Sequence, residues 1–377
     1  MDWETLDQRP GFALRRGGRF LVADLAGPHR VLSTSVRHGG QSDHLRLLLN
    51  HQSCEGTAHH DRHRLIVDDG LEKYHDHVCG EAGLPADYTA VMGTAANMNY
   101  AAIATEIDHA VEVTAVVTAG VEGNATCAGD PANFRETAAG FEPVPAYAGT
   151  INTMLLINTP LTAAALARAV VTMTEGKSAA LQRLVVPSRQ SPDLATGTGT
   201  DQYCVAAPLT SAAGLTSAST HVKLGELIGR ATRTATLEAL RWQNGLEASY
   251  TRGVFRALGR YGLLETTFFE DIAGHLEAAD LELLRKNSKA ALYEPLVGAA
   301  AHALAAVLDR VRHGALPAAV QREAVVQQAA TLAASLAARP DRWSAFRSCL
   351  HHSATADPKS LVLAAIALGW SEKWRSN

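Results

Sequence analysis

Glycine is spread too unevenly along this chain for a single uniform fold: of 30 glycines, only Gly274, Gly298, Gly314 and Gly369 lie beyond Gly262. Glycine serves tight turns and close backbone approaches, and inside a helix it costs roughly 0.5–1 kcal/mol relative to alanine. A glycine-rich stretch therefore favours strands joined by turns, and a glycine-poor one favours helix. The division predicts a catalytic-sized body over residues 1–248 and a helical extension over 249–377. In the extension, Leu304, Val307, Leu308 and Val311 follow the i, i+3, i+4, i+7 spacing of a helix that buries one face. Pro317 and Pro340 read as helix starts or breaks, and Asp357-Pro358 and Gly369 as the capped start and the stop of the last helix. Roughly four to six helices are expected there, packed on the body or on a partner subunit.

Within the body, apolar runs at 20–25 and 30–36 flank the turn-like Gly27-Pro28 and read as a hairpin. A polar, histidine-rich stretch over 39–64 leads to a helix expected at 71–82, stopped by Gly83. The pattern then predicts a helix near 97–107, strands at 111–118 and 151–157, a helix over 162–184, a strand at 202–207 and a helix from His221. That alternation implies an α/β or α+β fold, a mixed sheet with helices packed on it, followed by the all-α extension.

Charge narrows the partners. The formal net charge is −4, with 47% hydrophobic and 19% charged residues, an even mixture unlike the clustered Lys and Arg of a nucleic-acid or anionic-membrane surface. The start, Met1-Asp2-Trp3-Glu4, has neither a basic segment nor an apolar run, so the cytoplasm is the expected compartment. Cys54, Cys79, Cys127, Cys204 and Cys349 are odd in number and widely spaced, which suits reduced thiols better than a disulfide framework.

The densest concentration of functional residue types is Thr196-Gly197-Thr198-Gly199-Thr200-Asp201. It lacks the spacing of a dinucleotide fingerprint and the Gly-Lys-Ser/Thr ending of a phosphate loop. Its neighbours are Thr118-Ala119-Gly120 with Asn124 and Gly129-Asp130, then Gly149-Thr150-Ile151-Asn152, Thr174-Glu175-Gly176-Lys177, and His221-Val222-Lys223-Leu224-Gly225-Glu226. In this order the set resembles the adenosylcobinamide amidohydrolase family, whose members hydrolyse the amide joining the aminopropanol arm to the corrin ring and release adenosylcobyric acid. The resemblance runs from about Gly39 to Thr236. It departs at Gly176, where alanine is expected, and at Ser217-Ala218-Ser219-Thr220, where more glycine is expected. It says nothing about the chain after Ala248.

Amide hydrolysis needs a nucleophile, a base, an acid for the leaving amine, and donors for the tetrahedral oxyanion. His221, following the capping residues Ser219 and Thr220, is expected on the first turn of a helix and is the candidate base or acid. The backbone N–H groups around Gly197 and Gly199 are the candidate oxyanion site. Asp201 or Asp130 could orient His221 or activate water, and equally could cap turns. Glu175 and Lys177 point about 200° apart on a helix, so only one can face the site; the resemblance favours Glu175. It further implies substrate contacts from Asn124, Asp130, Thr150, Asn152, Lys177, Gly197, Thr198, Gly199 and Thr200; the amides of Asn97 and Asn99 with the Tyr100 phenol could line a corrin pocket, and equally could cap and pack the helix that follows. A thiol mechanism would use Cys127 or Cys204, although a cysteine in an apolar strand is usually core. No cofactor is required by this reading. A zinc site is the competing one, from His59, His60 and His63 or from His75, His77 and Cys79. Further alternatives are an amidohydrolase acting on another macrocycle or chelate, and a corrinoid-binding protein without catalysis. A homo-oligomer assembled through the extension is a possible state of assembly.

Overall fold

A computed structural model describes residues 1–53, 59–132, 134–137, 140–143, 150–353 and 357–374. The chain divides into two compact units, Met1–Leu246 and Glu247–Asn377.

The first unit begins with strands β1 (Glu4–Arg9), β2 (Phe12–Gly17), β3 (Phe20–Leu25), β4 (His29–Ser33), β5 (Gly40–Ser42) and β6 (Leu47–Gln52), then helix α1 (His59–Ala82). It continues through β7 (Thr89–Thr94), β8 (Ala102–Asp108), β9 (Val111–Ala119), β10 (Ala125–Thr126), β11 (Phe134–Thr137), β12 (Gly140–Pro143) and β13 (Ile151–Ile157). Helix α2 (Ala163–Arg183), β14 (Gly197–Thr198), β15 (Gln202–Pro208) and α3 (Lys223–Asn244) complete it. Two larger sheets result, ordered β1-β2-β3-β6-β7 and β5-β4-β15-β13-β9-β8. Only β6 with β7 and β13 with β15 run parallel among the pairs of these two sheets.

The alternation of side chains explains why the sheets stack. On β13, Met154 and Leu156 meet Leu48, Ala90 and Met92 of the other sheet, while Ile151, Leu155 and Ile157 pack under α2 and α3. On β6, Leu48 faces the partner sheet, while Leu47 and Leu49 face Tyr74 and Val78 of α1. The unit is thus four layers, α1, sheet, sheet, and α2 with α3. With both faces covered, all seven residues of β13 are buried, the polar Asn152 and Thr153 included.

The mixed α/β class expected from sequence is what the chain adopts, as are the strand at 151–157 and the helix capped by Thr162, whose hydroxyl accepts Ala165 N. Two of the expected elements do not form. The runs flanking Gly27-Pro28 are not a hairpin: β3 pairs with β2 and β6, whereas β4 pairs with β15 and β5, so the turn carries the chain from one sheet to the other. Residues 97–107 form a short turn at Met98–Tyr100 and then β8, which pairs antiparallel with β9 through a left-handed His109. β-Branched Ile103, Thr105 and Ile107 at alternate positions suit an edge strand better than a helix.

The second unit is helical: α4 (Ala248–Thr251), α5 (Val254–Leu258), α6 (Phe268–Ile272), α7 (Ala278–Leu292), α8 (Pro295–Arg312), α9 (Ala318–Ala337), α10 (Trp343–Ser353) and α11 (Pro358–Lys373). Leu304 and Leu308 are buried, as their spacing requires. Gly369 does not stop the last helix. It lies inside α11, where a Cβ would come within 2.5 Å of Ala333 O on α9, so it permits two helices to touch. Among the described residues no single helix is long and apolar enough to cross a membrane.

Candidate functional site

The glycine-rich loop is tied down by its own side chains. β10 and β14 pair antiparallel, Ala125 opposite Thr198, which sets the 124–130 loop against residues 196–201. The Asp201 carboxylate accepts Lys177 Nζ of α2, Thr198 Oγ1, Thr198 N at 3.2 Å and Ile151 N of β13 at 3.1 Å. A Cβ on Gly197 would lie 2.5 Å from Asp201 Oδ2, and one on Gly199 would lie 3.2 Å from the Asn124 amide. The glycines leave room for the Asp201, Lys177 and Asn124 side chains that cross the backbone here. The expected oxyanion donors are spent internally as well: Thr198 N on Asp201, Gly199 N on Asn124 O, and Thr196 N on Thr126 O. A carboxylate fastening three elements in this way acts as a staple between them.

Asp130 does the same for its own loop. It accepts Cys127 N at 2.7 Å, Thr126 Oγ1 at 3.2 Å and Ser188 Oγ at 2.5 Å. Burial alone would raise its carboxyl, but these bonds and one from Ser191 outweigh it and hold it below the usual carboxylate range.

A cleft of about 390 Å³ opens at one end of the two sheets, walled by His51, Tyr74, Gly93, Thr150, Thr200 and Gln202 together with Ser53, Thr94 and His75. Thr150 and Thr200, from two separate motifs, are hydrogen-bonded hydroxyl to hydroxyl at 2.6 Å on its wall. A buried chain of amides runs between the sheets behind it. Gln202 Oε1 accepts Gly93 N at 2.8 Å, Asn152 Nδ2 donates to Gly93 O at 3.0 Å and Asn50 Oδ1 at 2.9 Å, and Asn50 Nδ2 donates to Thr118 Oγ1 at 2.8 Å. Asn152 is fully buried and so holds the sheets together at this end.

His51, Tyr74, Asn50 and Gln202 were not singled out by the sequence reading. His51 ends β6 on the α1 side, its Nδ1 3.0 Å from Met92 O and its Nε2 2.9 Å from the Tyr74 hydroxyl. A signal existed: the apolar run Leu47-Leu48-Leu49 followed by Asn50-His51-Gln52-Ser53 is a buried strand ending in polar groups, and such ends of parallel strands commonly border ligand sites. Gly93, opposite His51 in the parallel register, leaves room for the imidazole; a Cβ there would lie 3.1 Å from His51 Cε1.

Other expected site residues are not gathered here. His221 is exposed and precedes α3, which begins at Lys223 rather than at Ser219. The far end of that helix meets the glycine-loop region, where Asn244 Oδ1 accepts Val121 N. His221 lies before the opposite, N-terminal end of that 22-residue helix and does not line the cleft. Glu175 is exposed on α2, and it is Lys177 that turns inward to Asp201, while Gly176 lets α2 approach within contact of Gly229 on α3. Asn97 caps the Met98–Tyr100 turn through Asn99 N, and its own N–H donates to Gln243.

The sulfur and metal alternatives separate in space. Cys204 is fully buried between the sheets and burial pushes its thiol upward. Cys79 is buried and raised to about 11, despite a hydrogen bond with Thr89 that opposes the shift. Cys127 is half-buried, its Sγ 3.8 Å from Ala128 O. His75 is lowered by burial and directs Nε2 to Ala86 O, whereas His77 pairs with Glu81 on the surface, so these two and Cys79 diverge. The side chains of His59, His60 and His63 lie outside the described residues, as does Cys54. Among the described residues no three His, Cys, Asp or Glu side chains are grouped as metal ligands.

A family model described as adenosylcobinamide amidohydrolase matches residues 7–248. The chain is also similar to an uncharacterized protein of Methanocaldococcus jannaschii, 36% identical over 183 residues, which is 46% of this chain and 71% of that relative. The family match contains the whole cleft and the glycine-rich loop.

Proposed function

The chain belongs to the adenosylcobinamide amidohydrolase family, and we propose that it hydrolyses the amide joining the aminopropanol arm of adenosylcobinamide to the corrin ring, giving adenosylcobyric acid and free aminopropanol in corrinoid salvage. The observation that carries this reading is the cleft. Its volume, about 390 Å³, is at the low end of the roughly 300–1,000 Å³ typical of small-molecule sites. It suits a side arm with its amide, the macrocycle remaining at the mouth. Its wall supplies what amide hydrolysis needs, a buried imidazole and phenol for proton transfer and hydroxyls that can donate to a developing oxyanion. Asp201 and Lys177 act one layer back, holding the Thr150 and Thr200 loops in register, while Asp130 braces the 124–130 loop.

Incubation of the full chain with adenosylcobinamide, with and without a chelator, followed by mass analysis tests the reading. Release of aminopropanol is expected in both arms. Binding of the corrinoid without cleavage would make the protein a binder, and loss of cleavage on chelation would restore a metal to the mechanism.

A further inference from the structure

We propose that a second cavity, at the opposite end of the two sheets from the cleft, binds a small aliphatic amine through the His29 imidazole and the Glu112 carboxylate. The cavity measures about 310 Å³ and lies between the sheets, with Phe12 and Leu25 from one and Glu112, Leu156 and Ala206 from the other. Thr150 and Gln202, beside the starts of β13 and β15, line the cleft, whereas Leu156 and Pro208, at the ends of these strands, line this cavity. β13 and β15 run parallel, so the cavity occupies the place outside the carboxyl ends of a parallel pair where ligands commonly sit. The cleft stands in the same relation to β6 and β7.

His29 is the group that points to a ligand. It is only 4% exposed, yet one of its ring nitrogens is unused. Nδ1 lies 3.1 Å from Gly27 O, which can only accept, so Nδ1 carries the proton of the neutral ring. Burial favours that neutral form, lowering the imidazole below its ordinary value. Nε2 is then an acceptor, and among the described residues nothing donates to it. An acceptor so little exposed is costly to leave without a donor, and a ligand N–H in the cavity supplies one.

Glu112 fixes the sign of the ligand. Its Oε1 accepts Arg9 Nη1 at 3.2 Å, and its second oxygen has no donor among the described residues. The Arg9 guanidinium is held by two carboxylates, Asp7 at 3.1 Å and Glu112, which leaves this cluster one negative charge in excess. Arg46, the other cation acting on His29, donates to the carbonyls of Asp43 and Leu45 and is not part of the wall. An ammonium on a short carbon chain meets every demand of the site: a cation for Glu112, an N–H donor for His29, and an apolar body for Phe12, Leu25 and Leu156. The inference rests on the cavity and not on amide hydrolysis, although the amine leaving group of the proposed reaction belongs to this class.

The test titrates the full chain, labelled with ¹⁵N at histidine, with 1-amino-2-propanol at fixed pH, using propane-1,2-diol and lactate as neutral and anionic controls of similar shape. A saturable shift of His29 Nε2 is expected with the amine alone, at the millimolar affinity of so small a ligand. Glu112→Gln should weaken that binding by about tenfold or more, as should His29→Phe read on the Leu156 methyl resonances, with circular dichroism unchanged. The three probes decide the matter even where a variant fails to fold. A His29 signal that stays still, that moves alike with all three probes, or that follows lactate rather than the amine would overturn the proposal, as would an Nε2–H tautomer in the free protein. None of these readouts uses turnover, so their failure leaves the hydrolase reading intact, and a protein that never cleaves adenosylcobinamide leaves the amine site standing.

Discussion

Replacing Asp201 by alanine separates a structural carboxylate from a catalytic one. The change strands the Lys177 ammonium, whose side chain is only 13% exposed, and removes the acceptor for Ile151 N and Thr198 N. Removing one partner of a buried ion pair typically costs about 3–5 kcal/mol. The residual exposure of this pair, and the water that the smaller side chain would admit, place the expected loss near the lower bound, about 3 kcal/mol. For a unit of this size each kcal/mol moves the melting temperature by about 2–4 °C, so a drop of about 6–12 °C is expected for the Met1–Leu246 transition in calorimetry. Asp201→Asn retains an acceptor and should cost less, and the pair Asp201→Asn with Lys177→Met should recover part of the loss because no charge is left buried. Below the melting range the stapled loop of Asp201→Asn should still support turnover. Asp201→Ala that melts within about 2 °C of wild type yet loses about 10²-fold or more in kcat would refute the reasoning and return Asp201 to the chemistry.

Gly93→Ala should lower turnover by about tenfold, the scale expected when a reacting group is displaced by a fraction of an ångström, with little change in melting temperature; unchanged kcat would show that the His51 position is not critical. His29 and His75 are both lowered by burial, so the unfolded chain binds more protons just below its own imidazole value of about 6.5. Their contribution to stability is complete above that pH and is lost as pH falls through 6.5 toward the folded values; urea midpoints should therefore decline from pH 7 to pH 5, less steeply in His29→Asn, and identical slopes would refute this. Asp130, held low, contributes above about pH 4 and loses its contribution as the pH falls through its folded value, so protease cutting in the 124–130 loop should rise only in strong acid. A chain truncated after Ala248 should keep its circular dichroism and its corrinoid affinity, since the hydrophobic clusters of the first unit draw on no residue beyond Leu246; unfolding on truncation would show that the extension is part of one common core.

The sequence by itself determined the elements whose signals are local. The β13 strand carries the apolar run Met154-Leu155-Leu156-Ile157, α2 is announced by a Thr162 cap and ended after Arg183, and the scarcity of glycine after Gly262 foretells helices. The ordered motifs were enough to point to the family. Tertiary structure alone decided which of their side chains meet. Lys177 rather than Glu175 faces Asp201 because α2 docks with Gly176 against α3, an orientation set by the partner helix and not by α2 itself. His221 belongs to the ordered motifs along the chain but stands exposed ahead of α3 and does not line the cleft. The reverse happens at the cleft: His51, Tyr74, Gly93, Asn152 and Gln202 lie up to 151 positions apart and become neighbours only because a parallel register sets His51 beside Gly93 and a second sheet lays its amides against that backbone. Pairings across strands and layers depend on register and packing, which have no local signature in the residues that make them.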